Sequence, residues 1–206
     1  MVINNFEQLE NYFDRKTSND DFYFVQVIQR KKDGVELPSY TSGARVIRSF
    51  YFFDRQEFRR QKPYIIELCN NNNARAYFWV NIRSAFDVAC ESIRQFTELI
   101  QAGNTYQGKD VYSRASGRTR SNKYDKLWIV DIDDMSIVEQ IKEIILSCRG
   151  AEDRLYDVVP TVQGCHLITR GFDVEQFKQK LAIAKLPDVN VHKENPTLLY
   201  YNKKNE

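Results

Sequence analysis

Residues 126–135, KLWIVDIDDM, place Asp131 and Asp133 one residue apart at the end of an apolar run. In an extended strand such i, i+2 side chains share a face, with Cα atoms about 6–7 Å apart. Ile132 then points the other way, into a core. Two carboxylates this close repel each other, and burial raises the cost. A divalent cation removes the conflict, because Mg2+ and Mn2+ favour carboxylate oxygens and serve phosphoryl or nucleotidyl transfer. The plainer alternative is a strand end at which Asp133 or Asp134 begins a turn or caps the next helix. Ser136 is the better cap, and Asp134 reads as a turn residue. Glycosyltransferases and phosphatases also use D-x-D, so the pair alone leaves the chemistry open.

The second chemically able residue is His166, one of two histidines, in TVQGCHLITRGFD (161–173). Gly164 separates two apolar runs and marks a tight turn, so His166 opens a strand beside it. A histidine there could donate to a phosphate oxygen, since its charge is tunable near neutrality. It could equally be an ordinary surface histidine of a hairpin.

These residues need elements to carry them. Aromatic and β-branched runs predict strands at 22–28, 45–53, 75–82, 126–132, 156–162, 165–169 and 197–201, with a weaker one at 189–193. Capping pairs open helices: Asp54 with Glu57, Ser84 with Asp87, Ser136 with Glu139, and Asp173 with Gln176. The apolar side of the second runs through Phe86, Ala89, Ile93, Phe96 and Ile100. Pro63 is expected to break or restart the first. Phe6, Leu9 and Phe13 suggest a terminal helix, and the asparagines of 69–75 end one. The order predicts an α+β fold with helices packed on a mixed or largely antiparallel sheet.

The chain has 206 residues, a formal net charge of +2 and 42% hydrophobic residues, which suits one domain or one domain with a small lobe. So small a charge makes any basic surface local. The four cysteines form no C-x-x-C pair, which argues against a zinc knuckle. No apolar run has the length of a membrane span, and the first residues lack the pattern of a signal peptide. A cytoplasmic protein with reduced thiols and no membrane partner is expected. The segmentation places an N-terminal lobe at about 1–103, a basic arm at about 104–124 and a catalytic lobe at about 125–201. The arm reads as a long loop in which Arg114, Arg118, Arg120 and Lys123 contact a nucleic-acid backbone, and Tyr106, Tyr112 and Tyr124 either stack on bases or pin the arm to the sheet.

An apolar strand ending in D-x-D, a helix, and then strand–Gly-x-His–strand together resemble the catalytic core of the archaeo-eukaryotic primase superfamily. Asp131 and Asp133 match its first motif; Gly164, Cys165 and His166 match its second. The likeness to small bacterial and phage members extends to Asn73–Tyr77, Asn81, Arg83 and Val191–Tyr200, so it covers roughly residues 23–201. Family members often carry Ser where Gly164 stands. The resemblance implies an RRM-like core with a small N-terminal α/β lobe, and a template-directed nucleotidyltransferase in DNA replication or repair. It would use Mg2+ or Mn2+, nucleoside triphosphates and a single-stranded DNA template in a bacterial or phage-infected cell. The chain has no P-loop, so a helicase or other replication partner would open the duplex. Asp131, Asp133 and His166 would be catalytic. The family's third acid is read as Asp188, with Asn190 as the alternative; Asn190 would cost the site a negative charge and imply a weakened enzyme. Arg75, Lys126, Arg170 and Lys193 are the expected nucleotide-binding cations. A non-catalytic single-strand-binding module and a D-x-D nuclease or phosphoesterase are the competing readings.

Overall fold

A computed structural model describes residues 1–39, 43–119, 126–150 and 155–203. The fold is α+β, built on two antiparallel sheets. The first contains β1 (Val2–Asn4), β2 (Asp21–Arg30), β3 (Ala44–Phe52), β4 (Arg75–Trp79), β5 (Arg83–Ser84) and β10 (Pro196–Asn202). Its order is β1-β10-β4-β2-β3, with β5 pairing the start of β2. The second contains β6 (Leu127–Ile132), β7 (Leu155–Pro160), β8 (Cys165–Arg170) and β9 (Asn190–His192), in the order β7-β8-β6-β9. The helices among the described residues are α1 (Phe6–Glu10), α2 (Arg55–Asn72), α3 (Ala85–Gln101), α4 (Val111–Arg118), α5 (Val138–Ser147) and α6 (Val174–Ile183). None is long and apolar enough to cross a membrane. No disulfide joins the four cysteines.

Strand alternation divides the cores. In β2, Tyr23, Val25 and Val27 join one buried cluster with Phe58, Ile65 and Cys69 of α2. Phe22 and Phe24 lie on the opposite face with Val88 of α3 and Ala115 of α4. In β6, Val130 and Ile132 pack with Val138, Ile141, Ile145, Phe177 and Leu181 of α5 and α6. Leu127 and Ile129 instead join the cluster of the first sheet. Strand β6 is thus a wall shared by two cores.

Several local expectations differ from the outcome. Helix α2 runs through Pro63 without a break. The proline is exposed, so water can serve the carbonyl that loses its partner, while Phe58, Ile65 and Cys69 hold the helix to the core. Asp134, not Ser136, makes the cap before α5: its carboxylate accepts from the Ser136 amide at 2.8 Å and from its hydroxyl at 2.7 Å, opening a 3-10 turn. The region taken as a long loop is helical over 111–118 and packs through Val111 and Ala115. Strand β10, expected in the second lobe, returns to the first sheet between β1 and β4. Its buried run from Thr197 to Tyr201 suits a central strand. Helix α3 buries Val88 and Gln95 and leaves the expected apolar side exposed.

The sheets are joined by buried polar groups as well as by the shared cluster. The Asn81 amide donates to the Leu127 carbonyl and accepts from the Leu127 amide, both at 2.8 Å. Asn5 donates to the carbonyls of Pro160 and Leu198 at 2.9 and 2.8 Å. Asn81→Ala strands a buried donor and a buried acceptor at the root of β6. It is expected to cost about 2–4 kcal/mol, to be read as a lower urea midpoint with an unchanged denaturant slope.

Candidate functional site

The two sheets enclose a cleft of about 430 Å³. One wall is the second sheet. Asp131 lies opposite His166 of β8 and opposite Asn190 of β9 in the strand register. Directly paired residues share a face, so the register brings Asp131, His166 and Asn190 to one side of the sheet. Ile129 is paired with His192 in the same way. Asp131, Asp133, His166 and His192 all line the cleft, which therefore holds both histidines of the chain. The other wall is the first sheet, whose residues Gln26, Ile28 and Arg30 of β2, Arg75, Tyr77 and Trp79 of β4, and Leu198 of β10 face inward, with Lys32 beyond the end of β2.

His166 connects the walls. Its Nε2 lies 3.4 Å from an Asp131 carboxylate oxygen, and its Nδ1 is 2.9 Å from the hydroxyl of Thr197 on β10, which is fully buried. Nε2–H then donates to Asp131 while Nδ1 accepts from Thr197, or both nitrogens donate if the ring is protonated. This hydrogen bond holds the Asp131 carboxyl below its ordinary value; burial opposes it, and the nearby charges of His166, His192 and Lys32 reinforce it. Lys32 is lowered as well, in its case away from the charged form: partial burial comes first, with Arg30 and Arg75 adding repulsion, against the pull of Asp33 and Asp131.

Gly164 makes this geometry accessible. A Cβ at that position would sit 2.0 Å from the Ile132 carbonyl oxygen and 2.9 Å from the Asp133 backbone. The turn before His166 thus lies directly on the backbone of the acidic strand end. A serine, or any other side chain, would fit at 164 only if this backbone shifted.

The remaining expected residues divide. Arg75 lines the cleft, but its guanidinium is ion-paired with Asp33 and lies 4.4 Å over the Tyr201 ring. Lys126 is ion-paired with Glu194, which also takes Arg83 at 3.3 Å. Lys193 lies 4.6 Å over the Trp128 ring, because it alternates away from His192. Lys126, Lys193 and Arg170 do not line the cleft. Asp188 is exposed and 3.6 Å from Lys178, whereas Asn190 stands across from Asp131. Arg114 donates to the side chain and carbonyl of Gln107 at 3.3 and 3.0 Å, and so staples the turn before α4. Arg118 lies beside α3, with Cys90, Glu91 and Arg94. Tyr112 packs on Tyr51 at 5.0 Å, pinning α4 to the sheet, while Tyr106 is exposed. Arg120, Lys123 and Tyr124 lie outside the described residues.

Arg30, Lys32 and Thr197 are the site residues that sequence reasoning missed. The run RKKD at the end of β2 was a usable signal for the first two. Thr197 carried none, since only folding brings it across 31 residues to His166.

The donor set decides which cation would fit. Among the described residues no group of three or more His, Cys, Asp or Glu is placed to form a protein-only metal site. Asp131 and Asp133 supply two carboxylates, and the residue paired with Asp131 on β9 is the uncharged Asn190. Mg2+ is ordinarily held by one or two carboxylates together with phosphate oxygens and water, and this set fits an ion that arrives with a phosphate ligand. Compared with protein-family models, curated proteins and solved structures, the chain matches none.

Two outcomes follow from this geometry. Gly164→Ala is expected to cost about 1–3 kcal/mol through overpacking. Gly117→Ala, on α4 with only the Phe24 ring at 4.0 Å, is expected to be neutral or stabilising. Paired denaturant titrations check both. Asp131 titrates below its unfolded value of 3.8, so its ionised form favours the fold. Its contribution is complete above that value and fades as pH falls through the lower folded one. In chelator-containing buffer, the stability advantage of the wild type over Asp131→Asn is expected to be full at neutral pH and to shrink as the pH is lowered below the ordinary aspartate value, read from urea midpoints.

Proposed function

We propose that the protein is a template-directed nucleotidyltransferase of the primase or primase-polymerase type, with its site in the cleft between the sheets. One observation carries the reading: the carboxylates of Asp131 and Asp133 on one wall face the cations Arg30 and Lys32 on the other. A triphosphate with a divalent cation has the charge pattern that such a pair of walls accepts. The β–α–β–β–α–β order of residues 127–192, with central strands β6 and β8, agrees with the RRM-like core implied by the primase resemblance.

Asp131 and Asp133 would hold Mg2+ or Mn2+. Such an ion polarises phosphate oxygens and lowers the pKa of an attacking hydroxyl. Lys32 supplies a cation crowded by Arg30 and Arg75, which an anionic ligand would relieve. Arg30 is directed by Tyr77, whose hydroxyl accepts from its guanidinium at 2.5 Å. His166, steadied by Thr197, fixes the Asp131 carboxylate and presents its ring toward the cleft. Tyr77, beside Arg30 and half-buried, lines the cleft and offers aromatic surface to a base, with Trp79 packed on Phe24 behind it. Single-stranded DNA is the template in this reading, and duplex opening falls to a helicase or other replication partner.

Asn190 in place of a third acid favours a second reading, a single-strand-binding module with little or no catalysis. Primer synthesis and extension with Mn2+ and nucleoside triphosphates separates them. Asp131→Ala combined with Asp133→Ala is expected to lower the rate at least about 100-fold, and equal rates would reject the enzymatic assignment. Titration calorimetry should show Mn2+ and a triphosphate binding together more tightly than either alone. Lys32→Ala should weaken the triphosphate by about tenfold. Single-strand binding without synthesis supports the module. Nucleotide release from labelled DNA without triphosphate identifies a nuclease.

A further inference from the structure

Helix α3 carries an uncovered apolar stripe. Phe86, Ala89, Ile93, Phe96 and Ile100 follow one another at steps of three and four residues. Phe86, Ile93 and Ile100 are 72%, 69% and 62% exposed, and Phe96 is 44% exposed. The helix already has a buried side, formed by Val88 and Gln95, that packs towards α4 and the first sheet. The stripe is therefore a second apolar side, and its spacing is that of the narrow seam by which one helix meets another. Isolated apolar residues on a surface need no explanation; a continuous row about 21 Å long does.

We propose that the stripe is the contact face of a homodimer, in which α3 pairs antiparallel with its copy about a two-fold axis at Ile93. The stripe is self-complementary in that arrangement, as an isologous contact requires. Phe86 meets Ile100 of the second copy, Ile93 meets its own counterpart, and Phe96 falls against Ala89 and Cys90, which are small enough to receive it. The Phe96 ring is already backed by the turn before α4, where it fills the space that a Cβ on Gly108 would need.

Charge agrees with size. The positions beside the seam, Cys90, Ser92, Thr97 and Leu99, are uncharged. The charged residues of α3, Asp87, Glu91, Arg94 and Glu98, lie well round the helix; Asp87 belongs to its first turn, and Arg94 is 2.6 Å from Glu91 and also paired with Glu98. Two copies therefore bring no like charges together at the seam. The exposed stripe amounts to on the order of 500 Å² per copy, or about 1,000 Å² for the pair, which reaches the size of a specific though modest interface. No residue of α3 lines the cleft, so pairing leaves the candidate site open and does not depend on what that site does.

Sedimentation velocity from about 1 to about 100 µM tests the proposal, with a monomer–dimer equilibrium expected on the order of 10 µM. Ile93→Glu should weaken association at least about 100-fold, by burying two like charges at the axis. Its urea midpoint, measured near 1 µM where both proteins are monomeric, should stay at about the wild-type value, because the side chain is exposed within one copy. In a Cys90→Ser background, Ile93→Cys should form a disulfide-linked dimer with oxidised glutathione, since the axis places the two thiols opposite each other. A wild-type monomer at the highest concentration overturns the proposal, even if the stripe then binds another protein. A dimer unaffected by Ile93→Glu overturns it as well.

Discussion

Strand β6 has to satisfy two cores at once, and the rest of the structure follows from how it does so. Its even-numbered residues belong to the helices α5 and α6, while Leu127 and Ile129 belong to the cluster shared with the first sheet. That shared cluster ends where the strand reaches Asp131. The carboxylates emerge where the two sheets part, so their charge meets a cleft rather than a packed interior. The cost of placing acid on an apolar strand is thereby avoided without moving the strand out of the core. The close approach of Gly164 to Ile132 and Asp133 belongs to the same constraint, because it lets the next turn lie against the acidic end.

The cleft is polarised by its two walls. Acids lie on the second sheet and most cations on the first or just beyond its end, and Arg75 is already held by Asp33. Arg30, oriented by Tyr77, and Lys32 complete the basic wall. Thr197 gives the His166–Asp131 pair a fixed anchor on the opposite sheet. That anchor exists because β10 returns to the first sheet between β1 and β4, tying the end of the second sheet to the centre of the first. The acidic site and the relative position of the sheets are therefore mechanically linked.

Helix α3 illustrates a different use of periodicity. A helix with two apolar sides presents two answers to the question of which side is buried. Spacing alone favoured the row from Phe86 to Ile100, since its residues are larger and more regular. Packing chose the row through Val88 and Gln95, because the space between α4 and the first sheet is already occupied by Phe22, Phe24 and Ala115.

Most of what depends on neighbours along the chain was legible in the residues themselves. The strands appear close to their expected limits, and Asp54, Ser84 and Asp173 each cap the helix that their spacing announced, at 2.7, 3.2 and 3.0 Å. The shared face of Asp131 and Asp133 also follows from strand geometry alone. Relations between distant segments were not legible in the same way. Whether Asp188 or Asn190 opposes Asp131 depends on a register that a shift of two residues would change, and the structure places Asn190 there. The His166–Thr197 bond, the basic wall at Arg30 and Lys32, and the capture of Arg75 by Asp33 and of Lys126 by Glu194 join residues far apart in sequence. Caps and alternation are set by interactions within a few residues, which the order of side chains specifies directly. Register, ion-pair partners and the buried side of a helix are set by competition among surfaces that meet only when the whole chain packs.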